Sequence, residues 1–228
     1  MRRTIIVVCV ALALSGAAFA DQDVTAAYVT KDFSSLLMPK SEFLGFIGND
    51  YQRLFIHFYS ISQDKRNPAL YYVKGSSEAK GIVCGFEGTI TVRSIVTFRK
   101  MHWGVDDKYK DKGVQAEGVF SASYELREDR AQKHAGVFAG QMKLDWFADR
   151  DGTLRYDDMR IDADDYSNNQ YTGTWMAYSS DKSKTANWGE YRIPNSGDLG
   201  AGIGEFSPNP KYCSHGWGTY PGCKPGEH

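Results

Sequence analysis

The sequence predicts an all-β protein in which antiparallel strands follow one another as a meander and close into a soluble barrel. Three observations support this prediction. Long segments alternate apolar and polar residues with a period of two, as strands with one buried face do. Turn-forming residues separate these segments. The aromatic content of 14% suits a strand-rich protein. Eight to ten hairpin-linked strands imply a closed barrel or a strongly curved sheet.

Residues 1–20 are predicted to be a secretory signal. Two arginines precede an apolar run over residues 5–14, and Ala18-Phe19-Ala20 fits a cleavage site with small residues. The apolar run is shorter than the roughly 20 residues that a membrane-spanning helix needs. We therefore expect an exported protein, periplasmic or extracellular, whose residues 21–228 form a single β-barrel domain.

The first element of that domain is predicted to be a short N-terminal helix. It would run from Thr30, as the capping residue, to Met38, because Pro39 cannot continue a helix. Downstream, the Asp151-Gly152 pair predicts a tight turn between two strands. A long Gly/Pro-rich segment, residues 187–228, ends the chain as a lid or a loop.

The clearest strand begins at Ile82, where alternate residues are apolar as far as Phe98. Cys84 falls on the apolar face and is predicted to be a buried thiol that packs as a small hydrophobic group. The segment Arg53–Ile61 is apolar on both faces, so we expect it to be covered on both sides. Further strands are predicted over Val114–Arg127, Phe138–Trp146, Leu154–Tyr156 and Tyr171–Tyr178.

An outer-membrane barrel is the rival architecture. Its outward face must be apolar, whereas the wet faces here carry charged residues such as Arg93, Glu117 and Lys143. A polar lumen would reverse that assignment, but the modest length and the aromatic apolar faces favour a soluble barrel.

The element Gly173-Thr174-Trp175 matches the short Gly-x-Trp sequence of calycin-type barrels, the lipocalin and avidin-like group. The predicted meander also resembles those barrels, which implies a calycin-like fold. In lipocalins the element opens the first strand, whereas here it lies near the end of the sheet, so no ligand-binding residue is transferred. Taken whole, the chain also resembles a class of secreted bacterial proteins, from which no function follows.

Three cysteines remain after the signal: Cys84, Cys213 and Cys223. An odd number in an oxidising compartment leaves at least one thiol unpaired within the chain. Cys213 and Cys223 flank a short Gly/Pro-rich loop, and closing it would contribute about 3 kcal/mol on a chain-entropy estimate. The spacing favours that bridge.

Charge and motifs exclude several classes of function. The chain has 27 Lys plus Arg against 28 Asp plus Glu, a formal net charge of −1, which does not favour nucleic acid or an anionic membrane. No integral membrane span, cofactor or metal site is predicted. The acidic residues between Asp157 and Asp165 are interpreted as a solvated surface run. The sequence contains no nucleophile elbow, zinc-binding helix or phosphate-binding glycine loop.

The C-terminal segment holds the predicted ligand site, because aromatic faces, directional polar groups and glycines are dense there. The candidate ligand-binding residues are Trp188, Tyr191, Arg192, Asn195, Asp198, Glu205 and Trp217. The alternative is a structural lid across one open end of the barrel, pinned by the disulfide.

Three functions stay open at this point. The first is a non-enzymatic binding protein that holds a small apolar or aromatic molecule inside or at the mouth of the barrel. The second is a secreted hydrolase of glycans or esters, with Glu190, Asp198 and Glu205 as candidate acid and base groups. The third is an envelope protein that docks a protein partner, which a filled core with an exposed apolar patch would favour.

Overall fold

Strands dominate the computed structural model, which describes residues 21–180, 182–200 and 205–223. The predicted signal, residues 1–20, lies outside the described residues. The elements in chain order are β1 (Gln22–Asp23), α1 (Thr25–Tyr28), α2 (Ser34–Leu37), β2 (Leu44–Ile47), β3 (Gln52–Gln63), β4 (Leu70–Ala79), β5 (Ile82–Thr97), β6 (Ala116–Glu128), β7 (Gly136–Ala148), β8 (Leu154–Tyr156), β9 (Asn168–Ala177) and β10 (Ser183–Glu190). Two 3₁₀ helices span Val105–Asp107 and Pro210–His215.

Eight of these strands form a closed antiparallel barrel. From β2 onward each strand pairs with the next in the chain, with β7 followed directly by β9, and β10 returns to pair with β2. The short strands β1 and β8 lie beside this circuit, against β5 and β7. The predicted all-β meander and its closure are confirmed, and the barrel is compatible with a calycin-like fold.

Aromatic side chains fill the barrel interior. Trp188 stacks on Tyr171 with ring centroids 5.0 Å apart and an interplanar angle of 12°, and Tyr124 and Phe138 contact Trp188 edge-on. All four side chains are buried. Such ring geometries add to the free energy gained from burying the rings. The interior is therefore packed with side chains from strand to strand.

A β-bulge changes the register that the sequence predicts for β5. The pairing with β6 shifts between Val92 and Ser94, so one residue is inserted and the faces exchange. Ile95 is fully buried beyond the bulge, although the alternation begun at Ile82 assigned the buried face to Val96 and Phe98. An extra residue on one strand of an antiparallel pair has this effect.

The chain preceding β2 closes one end of the barrel. Phe33, Leu36 and Leu37 are buried, and Phe33 packs on Phe120 with centroids 4.9 Å apart. The predicted helix from Thr30 to Met38 is too long. Helix α2 begins only at Ser34, and its N-cap residue is Phe33, whose side chain forms no capping hydrogen bond. The Asp32 side chain accepts a hydrogen bond from the Ser34 backbone N–H at 2.8 Å.

The C-terminal segment packs on the outer wall of β2 and β3. Trp217 is fully buried there in a second apolar cluster, which also contains Phe46, Ile193, Leu199 and Phe206. The predicted disulfide joins Cys213 to Cys223, which confirms it. Residues 187–190, assigned to this segment by sequence, belong to β10.

Arg53 attaches this segment to the barrel wall. Its guanidinium lies over the rings of Phe55, Trp217 and Tyr220 at 4.1, 4.9 and 5.4 Å. It donates hydrogen bonds to Glu42 Oε1 at 2.7 Å and to the Tyr220 hydroxyl at 2.8 Å. The segment thus covers the outer face only at the start of β3. The expectation that Arg53–Ile61 is covered on both sides is wrong farther along, where His57 is exposed and Tyr59 is 67% exposed. Among the described residues, no helix has the length and apolarity to cross a membrane.

Candidate functional site

A cavity of about 210 Å³ opens at one end of the barrel. The opposite end is closed by the chain before β2, residues 24–43, which we call the N-terminal plug. The turns β2–β3, β4–β5, β6–β7 and β9–β10 meet at this mouth. Its deeper lining is mostly apolar and comes from inward-facing positions at the ends of the strands. The residues of that lining are Ile47, Leu54, Ser77, Ala79, Ile82, Cys84, Glu128, Phe138 and Trp175.

One carboxylate lies among these apolar walls. Glu128 is buried, and its Oε2 accepts hydrogen bonds from the Gly136 backbone N–H at 2.7 Å and from Trp175 Nε1 at 3.0 Å. Its Oε1 accepts a third from the Ser77 hydroxyl. A buried charge is tolerated when donors satisfy it in this way. Glu128 therefore holds the Trp175 ring in place.

Gly136 is needed for this arrangement. A Cβ at that position would lie 2.6 Å from the Trp175 ring, which is closer than packed atoms approach. The Gly-x-Trp element therefore contributes a wall of the mouth, because Trp175 lines the cavity and its ring is held by the hydrogen bond to Glu128.

Cys84 also lines this cavity, as a free and buried thiol, which confirms its predicted burial. Burial first, and the charge of Glu128 second, raise the pKa of the Cys84 thiol. The protonated thiol is a weak nucleophile. Cys84 therefore serves here as an apolar wall.

The rim of the mouth is charged. Lys80, Lys184, His134 and Asp50 surround the opening, and the Lys184 ammonium lies 5.7 Å from the centroid of the Trp175 ring. The site thus combines an apolar interior with a polar edge, which is typical of small-molecule pockets.

The predicted ligand-binding residues are divided among different surroundings. Trp188 and Trp217 lie in two separate packed cores. Asn195 is exposed in a turn with a positive φ of 53°. The Asp198 carboxylate binds Lys211 and the Tyr212 hydroxyl, which lowers its pKa.

The other three predicted residues meet in one groove on the outer wall. Tyr191, Arg192 and Glu205 line an open depression of about 490 Å³ beside Tyr166 and Tyr220. The Arg192 guanidinium donates to the backbone carbonyl of Asp164. The sequence thus predicted three residues of a surface groove, but not the residues of the mouth.

Glu190, a candidate acid or base by sequence, is fully buried. Its Oε1 accepts hydrogen bonds from the backbone N–H groups of Lys40 and Ser41 at 2.6 and 2.7 Å. Its Oε2 accepts from the Tyr156 hydroxyl at 3.0 Å and from Asn169 Nδ2 at 3.2 Å. These contacts join the N-terminal plug to the last strands. Glu190, Asp198 and Glu205 therefore face three different surroundings.

A second cluster of titratable groups lies on the outer wall near β6, β7 and β8. His102 Nδ1 is 3.0 Å from Glu117 Oε1, and Asp145, Asp157 and Arg160 line the same cavity of about 320 Å³. Burial is the main cause that raises the pKa of Asp145 to about 6 and that of Asp157 to about 7. The interpretation of Asp157 as a solvated residue is wrong, because its side chain is buried.

Two sequence signals could have identified the mouth. The alternation around Cys84 placed that residue on the inner face, and the Gly-x-Trp element marked Trp175. Neither signal states at which end of the barrel a residue lies. That position depends on strand lengths and register, which fix where Glu128 and Ser77 meet.

The fold and the site define a closed antiparallel barrel with one plugged end and one amphipathic mouth. Comparison of the chain with protein-family models, with curated proteins and with solved structures found no match. In the part of the chain that the structure describes, no group of three or more His, Cys, Asp or Glu side chains is arranged to hold a metal ion.

Proposed function

We propose that this protein is an exported, non-enzymatic binding protein that holds a small apolar or aromatic molecule in the mouth of its barrel. The observation that carries the proposal is the mouth cavity, whose apolar walls enclose a carboxylate already satisfied by three donors. The disulfide is compatible with export to an oxidising compartment.

The packing of the barrel restricts where a ligand can bind. Because Trp188, Tyr171 and their neighbours fill the interior, the ligand binds at the mouth and not in the centre. The cavity of about 210 Å³ is smaller than the roughly 300–1,000 Å³ of most ligand pockets. A single aromatic ring with a short substituent suits it, with the Trp175 ring as a stacking surface.

The test is a titration with 2-phenylethanol. Binding is measured by calorimetry and by the rate at which Cys84 reacts with a thiol reagent. The protein is expressed with its first 20 residues and purified from the periplasm. At a ligand concentration tenfold above Kd, we expect labelling of Cys84 to slow about tenfold, because the reagent reaches this buried thiol through the cavity, which is open only in the ligand-free form.

The matched variants are Ala79→Phe, which fills the mouth, and Val83→Phe, which adds the same ring at an exposed position on β5. Ala79→Phe should abolish binding and retain a cooperative melt, whereas Val83→Phe should bind as the unmodified protein does. Equal labelling rates with and without the alcohol, together with no heat of binding, would refute the proposal.

A second candidate function is hydrolysis at the outer cluster of His102, Glu117, Asp145 and Asp157. The observation that favours it is the pair of raised pKa values, since an acid and a base poised near neutral pH are what general acid–base catalysis requires. The test is turnover of nitrophenyl esters or glycosides. Asp157→Asn should abolish that turnover, whereas Asp162→Asn, an exposed control on the same loop, should preserve it. Absence of turnover would remove it.

A further inference from the structure

Apolar and charged side chains lie at different depths in the mouth. Apolar side chains such as Leu54 and Phe138 form the deep walls, whereas Lys80 and Lys184 stand at the rim. A ligand that fits both parts has an apolar body and a polar head. The sign of the charge on that head follows from the groups that face it.

Protein donors already bind both oxygens of the deep carboxylate. Glu128 accepts hydrogen bonds from Ser77, Gly136 and Trp175, so these three donors already occupy both of its oxygens. Its negative charge also disfavours an anionic group placed beside it. A charged head therefore points outward, toward the rim.

Within the described residues neither Lys80 nor Lys184 forms an ion pair, whereas Lys74 and Lys211 are paired with Glu87 and Asp198. Asp50 is the one acidic group at the rim among the described lining residues, and His134 lines the same rim.

Both lysines are anchored at their backbones. Lys80 occupies the tight β4–β5 turn with a φ of 54°, next to the end of β4. Lys184 lies on β10, and its ammonium is held over the Trp175 ring. Strand pairing fixes the backbone beside Lys80 and at Lys184, so both side chains extend from the edge of the opening.

We infer that the mouth selects small aromatic anions, with the ring against Trp175 inside the cavity and the anionic group between Lys80 and Lys184 at the rim. Carboxylates on a short arm, such as arylacetates, represent this class. The inference rests on the proposed function, because it assigns the ligand class of the same site.

Three compounds of nearly equal size separate the outcomes: phenylacetate, 2-phenylethanol and 2-phenylethylamine. We expect phenylacetate to bind about tenfold more tightly than the alcohol and the amine to bind most weakly, since two exposed cations each contribute modestly. The preference should decrease in 1 M salt, which screens exposed charges. Calorimetry gives the three dissociation constants.

The double variant Lys80→Gln/Lys184→Gln should lose the preference for the acid and keep the affinity for the alcohol. The control Lys65→Gln/Lys112→Gln removes the same net charge in the connections β3–β4 and β5–β6, at the plugged end, and should leave all three constants unchanged.

The possible failures are distinct. If none of the three compounds binds, the proposed function fails. If all three bind with equal affinity, if the amine binds most tightly, or if the control variant has the same effect as the double variant, the binding function stands and the selection of anions is overturned.

Discussion

Asp145 and Asp157 show how burial makes the stability of this protein depend on pH. Their ordinary pKa of 3.8 is raised in the folded state to about 6 and about 7. At pH values between the unfolded and the folded pKa, the folded protein binds more protons than the unfolded chain. Stability therefore falls as the pH rises from about 4 to 7, and the destabilising contribution is complete above the folded pKa values.

Replacing Asp157 by Asn should stabilise the protein at pH 8, by about 2 kcal/mol, because a charge no longer has to be buried. The amide oxygen can still accept the hydrogen bond from the Met159 backbone N–H, at 3.0 Å in the present structure. Urea denaturation between pH 4 and 8 gives the free energy of unfolding, and its decrease with pH should be smaller in the variant.

Asp162→Asn is the control for that measurement, since the Asp162 side chain is 63% exposed. It should leave the pH dependence of stability unchanged. An equal pH dependence in Asp157→Asn and in the unmodified protein would show that Asp157 is ionised normally in the folded state.

Individual residues also show where sequence reasoning ends. Trp188 looked available for a ligand because it stands in a segment rich in glycine, yet strand pairing turns it into the barrel core. Arg53 was unremarkable in the sequence, yet it holds the C-terminal segment through rings and carboxylate together. Local composition could not predict either role, because Trp188 packs on Tyr124 and Arg53 on Trp217, which lie far away in the sequence.

At the scale of elements, alternation predicted the long strands well. It located β5 from Ile82 onward and β6, β7 and β9 to within a few residues. Alternation failed at the bulge after Val92, because the order of apolar and polar residues does not reveal where one residue is inserted. It also gave no indication of β2, which is four residues long.

The C-terminal segment should melt separately from the barrel when its disulfide is removed. Its apolar cluster around Trp217 is distinct from the main core, and the bridge closes a short loop. In Cys213→Ala/Cys223→Ala we expect a loss of about 3 kcal/mol in the segment. Hydrogen exchange should then show faster exchange at Tyr220 and unchanged protection in β6 and β7.

Reductant provides the matched control for this prediction. It should reproduce the effect in the unmodified protein and have no further effect in the double variant. Equal protection of the segment in oxidised and reduced protein would show that Arg53 and the apolar contacts hold it without the bridge.

At the scale of the whole molecule, the sequence predicted the all-β class, the meander and the closure. These depend on periodicity and on short connections, which are local properties. The open end, the plugged end and the place of the C-terminal segment depend on shear and on long-range packing. The mouth site was therefore predictable as a possibility, inside or at the mouth of a barrel, but its residues were not.

The barrel closes only when β10 pairs with β2, so it is completed late in folding. This pairing joins Leu44 to Gly189, so most of the described chain lies between the two paired strands. A loop of that length makes closure entropically costly, and strand pairings distant in sequence slow folding. Until β10 arrives, β2 and β9 are unprotected edges to which another unfinished chain can add. Slow release of this chain from the ribosome therefore prolongs the period in which it is most prone to aggregate.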